Sequence, residues 1–115
     1  MRPAYEYQAR IVGVYDGDTF YADIDLGFTT SKLKEILRLS RVDTPEVRGT
    51  EKAEGIKVRE YVKALILDKE VILKTEQDKK GKYGRYLAEV FFEREGKWIN
   101  LSDHLLEIGF AKLYQ

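Results

Sequence analysis

Residues 5–26 read YEYQARIVGVYDGDTFYADIDL, and this stretch falls into two strands with a turn between them. Tyr5 to Tyr15 is rich in β-branched and aromatic side chains, which suit a pleated, half-buried surface. Asp16-Gly17-Asp18 interrupts the run, and an Asp-Gly pair between apolar segments is a strong hairpin signal. From Thr19 to Leu26 the alternation is clean, with Phe20, Ala22, Ile24 and Leu26 on one side and Tyr21, Asp23 and Asp25 on the other. A period of two with one apolar face describes an antiparallel strand lying against a core.

Downstream, Gly27 to Lys34 reads as a polar connection. Glu35 to Val42 reads as a third strand, with Leu37 and Leu39 on one face and Arg38 and Ser40 on the other. Asp43-Thr44-Pro45-Glu46 stops it, because Pro45 has no amide to donate to a ladder. Val47 to Glu51 is a loop. Lys52 to Leu67 carries Ile56, Tyr61, Val62, Ala64 and Leu65 at helical spacing. A short strand is expected over Glu70 to Thr75, then a charged loop from Glu76 to Gly81. Arg85 to Phe92 reads as a strand that pairs, through a turn at Glu93 to Gly96, with Lys97 to Ile99. Asn100 can cap a helix over Leu101 to Ile108, which Gly109 can end in the left-handed conformation. This order predicts an α+β, mainly β, domain: a five-stranded barrel of the oligonucleotide-binding type with two packed helices.

The 115 residues form a single domain spanning 1–115, and 43% of them are apolar, enough for one real core. With no cysteine, disulfides, thiolate metal sites and cysteine catalysis are excluded. His104 is the one histidine, too few for a histidine-rich zinc site, and reads as a surface residue of the last helix. The 20 basic and 20 acidic residues cancel. That balance counts against tight non-specific binding to a polyanion, but not against an enzyme that must release its product. No apolar run approaches the roughly 20 residues of a membrane span. Residues Met1 to Glu6 lack an apolar signal core, so secretion would need an export signal outside this chain, and the cytoplasm is the expectation otherwise. No feature calls for more than a monomer.

Three segments carry chemistry: Asp16-Gly17-Asp18-Thr19, Arg38 running into Asp43-Thr44-Pro45-Glu46, and Tyr83-Gly84-Arg85. Each lies at a strand end or turn, where a rigid scaffold can present side chains to a ligand. A phosphodiester is slow to hydrolyse because the nucleophile approaches an anion and the transition state gains further negative charge. Catalysis needs cations where that charge grows and a base to take a proton from water. Asp18 and Asp43 can offer carboxylate oxygens to a hard divalent cation, with Thr44 adding its backbone carbonyl. Glu46 is the candidate base. Arg38 and Arg85 have planar forks that match phosphate oxygens. The set points to a metal-dependent phosphodiesterase.

In these segments the chain resembles the staphylococcal nuclease (thermonuclease) family. The resemblance is carried by Val14-Tyr15-Asp16-Gly17-Asp18-Thr19, by Arg38-Leu39-Ser40-Arg41-Val42-Asp43-Thr44-Pro45-Glu46, by Lys82-Tyr83-Gly84-Arg85-Tyr86-Leu87-Ala88, and by Asn100 with Gly109-Phe110-Ala111-Lys112. It implies Ca2+-dependent cleavage of DNA and RNA, single strands preferred, to 3′-phosphate products. Asp18, Asp43 and Thr44 would ligate calcium, Glu46 would act as general base, and Arg38 and Arg85 would hold the phosphate. Lys82 and Tyr83 would lie near a second phosphate, and Tyr114 near a base. The chain departs from the family in its longer connection from Thr19 to Arg38, its shorter loop after the glutamate and its neutral charge. The rival reading is a non-catalytic module that binds single strands on the same barrel. Retention of Asp18, Asp43 and Glu46 argues for the enzyme, since three acids in the groove of a pure binder would repel a polyanion.

Overall fold

The structure, a computed structural model, describes residues 5–75 and 85–114. Strand β1 (Tyr5–Asp16) pairs antiparallel with β2 (Thr19–Gly27), and β2 pairs antiparallel with β3 (Thr30–Leu39). A two-residue strand β4 (Val42–Asp43) and a turn of 3-10 helix (Gly49–Glu51) lead into helix α1 (Lys52–Ile66). Strands β5 (Glu70–Thr75), β6 (Tyr86–Arg94) and β7 (Lys97–Asn100) follow, then helix α2 (Leu101–Glu107) and the short β8 (Lys112–Leu113), which pairs with β4.

The sheet runs β3-β2-β1-β5-β6-β7. A parallel pairing of Leu37, Arg38 and Leu39 with Tyr86, Leu87 and Ala88 joins β3 to β6 and closes five strands into a ring. This is the expected oligonucleotide-binding-type architecture, with β7 extending it as a hairpin from β6. Strand β1 is long enough to serve both halves of the ring. Its first half pairs with β5 and its second with β2, with register irregularities near Gly13 and Tyr15 that bend it. Ile11, Phe20, Ala22, Leu37, Leu39, Val71, Leu73, Ala88 and Val90 are buried, filling the core that α1 and α2 cover.

The structure corrects several boundaries. Thr30 to Lys34 belong to β3, so the connection after β2 is Phe28-Thr29 alone, with left-handed φ values of 54° and 58°. Such a pair matches the right-handed twist of a two-residue hairpin. Phe28, Leu33 and Leu26 stand exposed on this projecting hairpin, so the apolar face expected to end at Leu26 is buried only through Ile24. The third strand ends at Leu39, because Arg41 turns into the left-handed region at φ 71° before Val42 starts β4. In α1 the buried stripe is Gly55, Val58, Val62 and Ile66; Ala64 is exposed and Ile56 is half-buried. The expected charged loop from Glu76 to Gly81 lies outside the described residues. No helix among the described residues is long and apolar enough to cross a membrane.

Candidate active site

The site grows from the β1–β2 turn. Gly17 does not take a left-handed φ, so hairpin geometry is not what requires glycine there. Close approach is: a Cβ at Gly17 would lie 2.6 Å from Val58 Cγ1 and 3.0 Å from Thr44 Oγ1. The turn therefore packs directly on α1 and on the segment after β4, which carries Asp18 into the interior at 5% exposure.

A buried carboxylate needs partners. Asp18 Oδ1 accepts from the Thr19 hydroxyl at 3.0 Å, and Asp18 Oδ2 accepts from the Thr44 backbone N–H at 3.0 Å. Arg38 Nη1 lies 3.5 Å from the same Oδ2, and Arg38 Nη2 lies 3.4 Å from Asp43 Oδ1. One guanidinium thus bridges the two carboxylates. The backbone fixes the register as well, since Leu39 N donates to the Asp18 carbonyl at 2.9 Å.

Arg38 is less open than a simple phosphate fork. Its Nη1 also donates to the carbonyls of Leu39 at 3.0 Å and Val42 at 2.8 Å, closing the turn that delivers Asp43. The Tyr114 ring stacks against it, 5.0 Å from the guanidinium carbon, and Tyr114 N donates to the Arg41 carbonyl. Arg85 directly precedes β6, two residues before Leu87, the strand partner of Arg38. Lys82 and Tyr83 lie outside the described residues.

Glu46 is on the adjoining loop with its side chain exposed. It joins Asp18 and Asp43 in no compact acidic cluster; no group of three or more Asp, Glu, His or Cys able to hold a metal occurs among the described residues. The link between Glu46 and Asp18 is Asp16. Burial pushes the Asp16 carboxyl above its usual range; the Val47 N–H opposes this, and the charges of Asp18 and Glu46 add to it. Asp16 Oδ1 accepts from Val47 N at 3.2 Å, tying the Glu46 loop to the turn that bears Asp18. A groove of about 190 Å3 opens beside Asp43, Thr44 and Pro45, with Glu51, Phe110 and Lys112 across it.

Asp18, Arg38, Asp43 and Thr44 therefore form one contacting set, with Tyr114 stacked on its arginine and Glu46 on the next loop. Sequence reasoning gave no role of their own to Asp16, Arg41 and Gly55. The doubled acid in Asp16-Gly17-Asp18 and a glycine inside a helix were the available signals for two of them. Arg41 offered none, since its partners Glu89, Asn100 and Asp103 are distant in the chain. His104, expected at the surface, is instead half-buried against Tyr61, with its Nε2 2.7 Å from the tyrosine hydroxyl.

The staphylococcal nuclease homologue family matches residues 36–115, a span that includes Arg38, Asp43, Thr44, Glu46 and Arg85. An uncharacterized protein of Methanocaldococcus jannaschii is 33% identical over 129 aligned positions, covering 94% of this chain and 59% of that protein. The chain thus spans less than two thirds of that relative's length.

Proposed function

Because this chain belongs to the staphylococcal nuclease homologue family, we propose that it is a calcium-dependent nuclease that cleaves DNA and RNA to 3′-phosphate products. The observation that supports this most is the single contact set in which Arg38 touches both Asp18 and Asp43. Asp18 reaches this point from the β1–β2 turn, and Arg38 and Asp43 reach it from a second segment 20 or more residues further along the chain.

The donor chemistry suits a hard cation. Asp18 and Asp43 offer carboxylate oxygens and Thr44 a backbone carbonyl, with no nitrogen or sulfur ligand beside them, and water would complete the shell. When bound, the ion would supply positive charge to the phosphodiester and its attacking water. The protein's own groups do the rest. Glu46, exposed on the loop that follows Pro45, takes the proton from the attacking water. Arg38 and Arg85 hold the phosphate oxygens as their negative charge grows. Water oxygen bonds to phosphorus, the P–O5′ bond breaks, and the leaving 5′ oxygen takes a proton from solvent water. Single strands are the favoured substrate and the monomer the working form.

The test is labelled single-stranded DNA incubated with calcium, with magnesium and with excess chelator, followed by analysis of product ends. Cleavage with calcium alone, leaving 3′-phosphates, is expected. Undiminished digestion in chelator rejects the cation role. Binding without cleavage under every condition favours the non-catalytic module.

A further inference from the structure

We propose that Gly55 is a positioning residue for this reaction: its missing side chain lets α1 seat directly on the Glu46 peptide and so sets where the base stands. The inference rests on Glu46 being the base.

A Cβ at Gly55 would overlap the Glu46 carbonyl group and come within 2.7 Å of Val47 N. Both atoms are backbone, so no side-chain rotation could relieve the clash. Glycine inside a helix costs about 1 kcal/mol relative to alanine. Here that cost falls where another segment's main chain touches the helix, and Gly55 is buried by it.

Two further contacts hold the same stretch of backbone. Glu46 N donates to Glu51 Oε1 at 3.3 Å, from the residue just ahead of α1. Val47 N donates to Asp16 Oδ1 at 3.2 Å, from the end of β1. The base is thereby held between the helix and the turn that carries Asp18. Its own side chain is exposed, so packing around the carboxylate does not orient it. The main chain beneath must do so, and Gly55 decides how closely that main chain meets the helix.

Gly55→Ala is the direct test, because alanine favours the helix and the displaced partner is the Glu46 segment. Misplacing a catalytic group by about 1 Å can cost about 10²-fold, so kcat should fall by that order with KM unchanged within about twofold. The amide resonances of Glu46 and Val47 should shift while those of β5 stay put. In a Glu46→Gln background, Gly55→Ala should cause no further loss, since both changes act through one group. Should Gly55→Ala fail to fold, Glu51→Ala, at an exposed position, should lower kcat, and Glu51→Gln, which keeps an acceptor oxygen, should restore it. The proposal is overturned by unshifted Glu46 and Val47 resonances, by equal loss in both backgrounds, or by a silent Glu51→Ala. A Glu46→Gln enzyme at full turnover would instead sink the base assignment, a different result from any of these.

Discussion

Thr44 carries an unpaid polar group at the centre of the site. Its Oγ1 is buried and has no hydrogen-bond partner among the described residues, a state that costs about 1–3 kcal/mol. Thr44→Val, nearly the same in shape, should stabilise the fold by about 1 kcal/mol, read as a raised midpoint in urea. Asp16 makes a pH-dependent prediction. Burial first, then the charges of Asp18 and Glu46, raise its carboxyl above the ordinary 3.8. The folded state therefore binds this proton more tightly than the unfolded chain, and stability falls as pH rises upward from about 3.8. Asp16→Asn keeps an acceptor for Val47 N and removes the charge. It should be the more stable protein at pH 7 and equal to the parent at pH 3; equal stability at both pH values would discard the burial argument. At the arginines the prediction is kinetic. In the proposed role, where its contact strengthens as charge builds on the phosphate, Arg85→Ala should lower kcat more than it raises KM. The acids and arginines were legible one by one, since few residue types can perform these roles. The reason for Gly17 was not: its pairing with Asp16 suggested turn geometry, whereas contact with Val58 and Thr44 is what excludes a side chain.

Helix α2 is held at its start by a network the sequence showed only in part. Asn100 Oδ1 accepts from Asp103 N at 3.0 Å, the cap expected from an asparagine ahead of an apolar run. Asn100 Nδ2 also donates to Glu89 on β6, and Arg41 pairs with Glu89 through two bonds of 3.0 and 2.7 Å and with Asp103 at 2.9 Å. The turn between Arg38 and Asp43 is thus tied to β6 and α2. Burial alone would raise the Glu89 carboxyl, but the hydrogen bonds from Arg41 and Asn100 outweigh it and hold it low. Its contribution is present above the unfolded value near 4.5 and lost as pH falls below it. Glu89→Gln should therefore destabilise the protein at pH 7, with the difference from the parent shrinking toward pH 3 in denaturation curves. A constant difference at all pH values would deny the ion pair. Elements with strong periodicity, such as β2 and β5, were legible nearly to the residue. The start of β3 was not, because Thr30 to Lys34 form a projecting, exposed hairpin arm with no core side to leave a pattern.

Over the whole molecule, 20 cationic and 20 anionic side chains leave no net charge to hold a polyanion. In the proposed nuclease, grip on nucleic acid would then fall to a few placed cations. With Arg38 and Arg85 as the phosphate contacts, the log–log slope of affinity against salt for single strands should be about −1.4. A much steeper slope would reveal a longer cationic track. The polypeptide alone decided the inward-facing residues Phe20, Ala22, Ile24, Leu37 and Leu39, the cap of α2, the exclusion of thiol chemistry and the residue types of the candidate site, because these follow from local spacing and side-chain chemistry. Ring closure through β3 and β6, the bridge of Arg38 between Asp18 and Asp43, and the seat of Glu46 on Gly55 were decided only in three dimensions. Each joins segments far apart in the chain, and no local pattern records which distant backbone will arrive within a few ångströms.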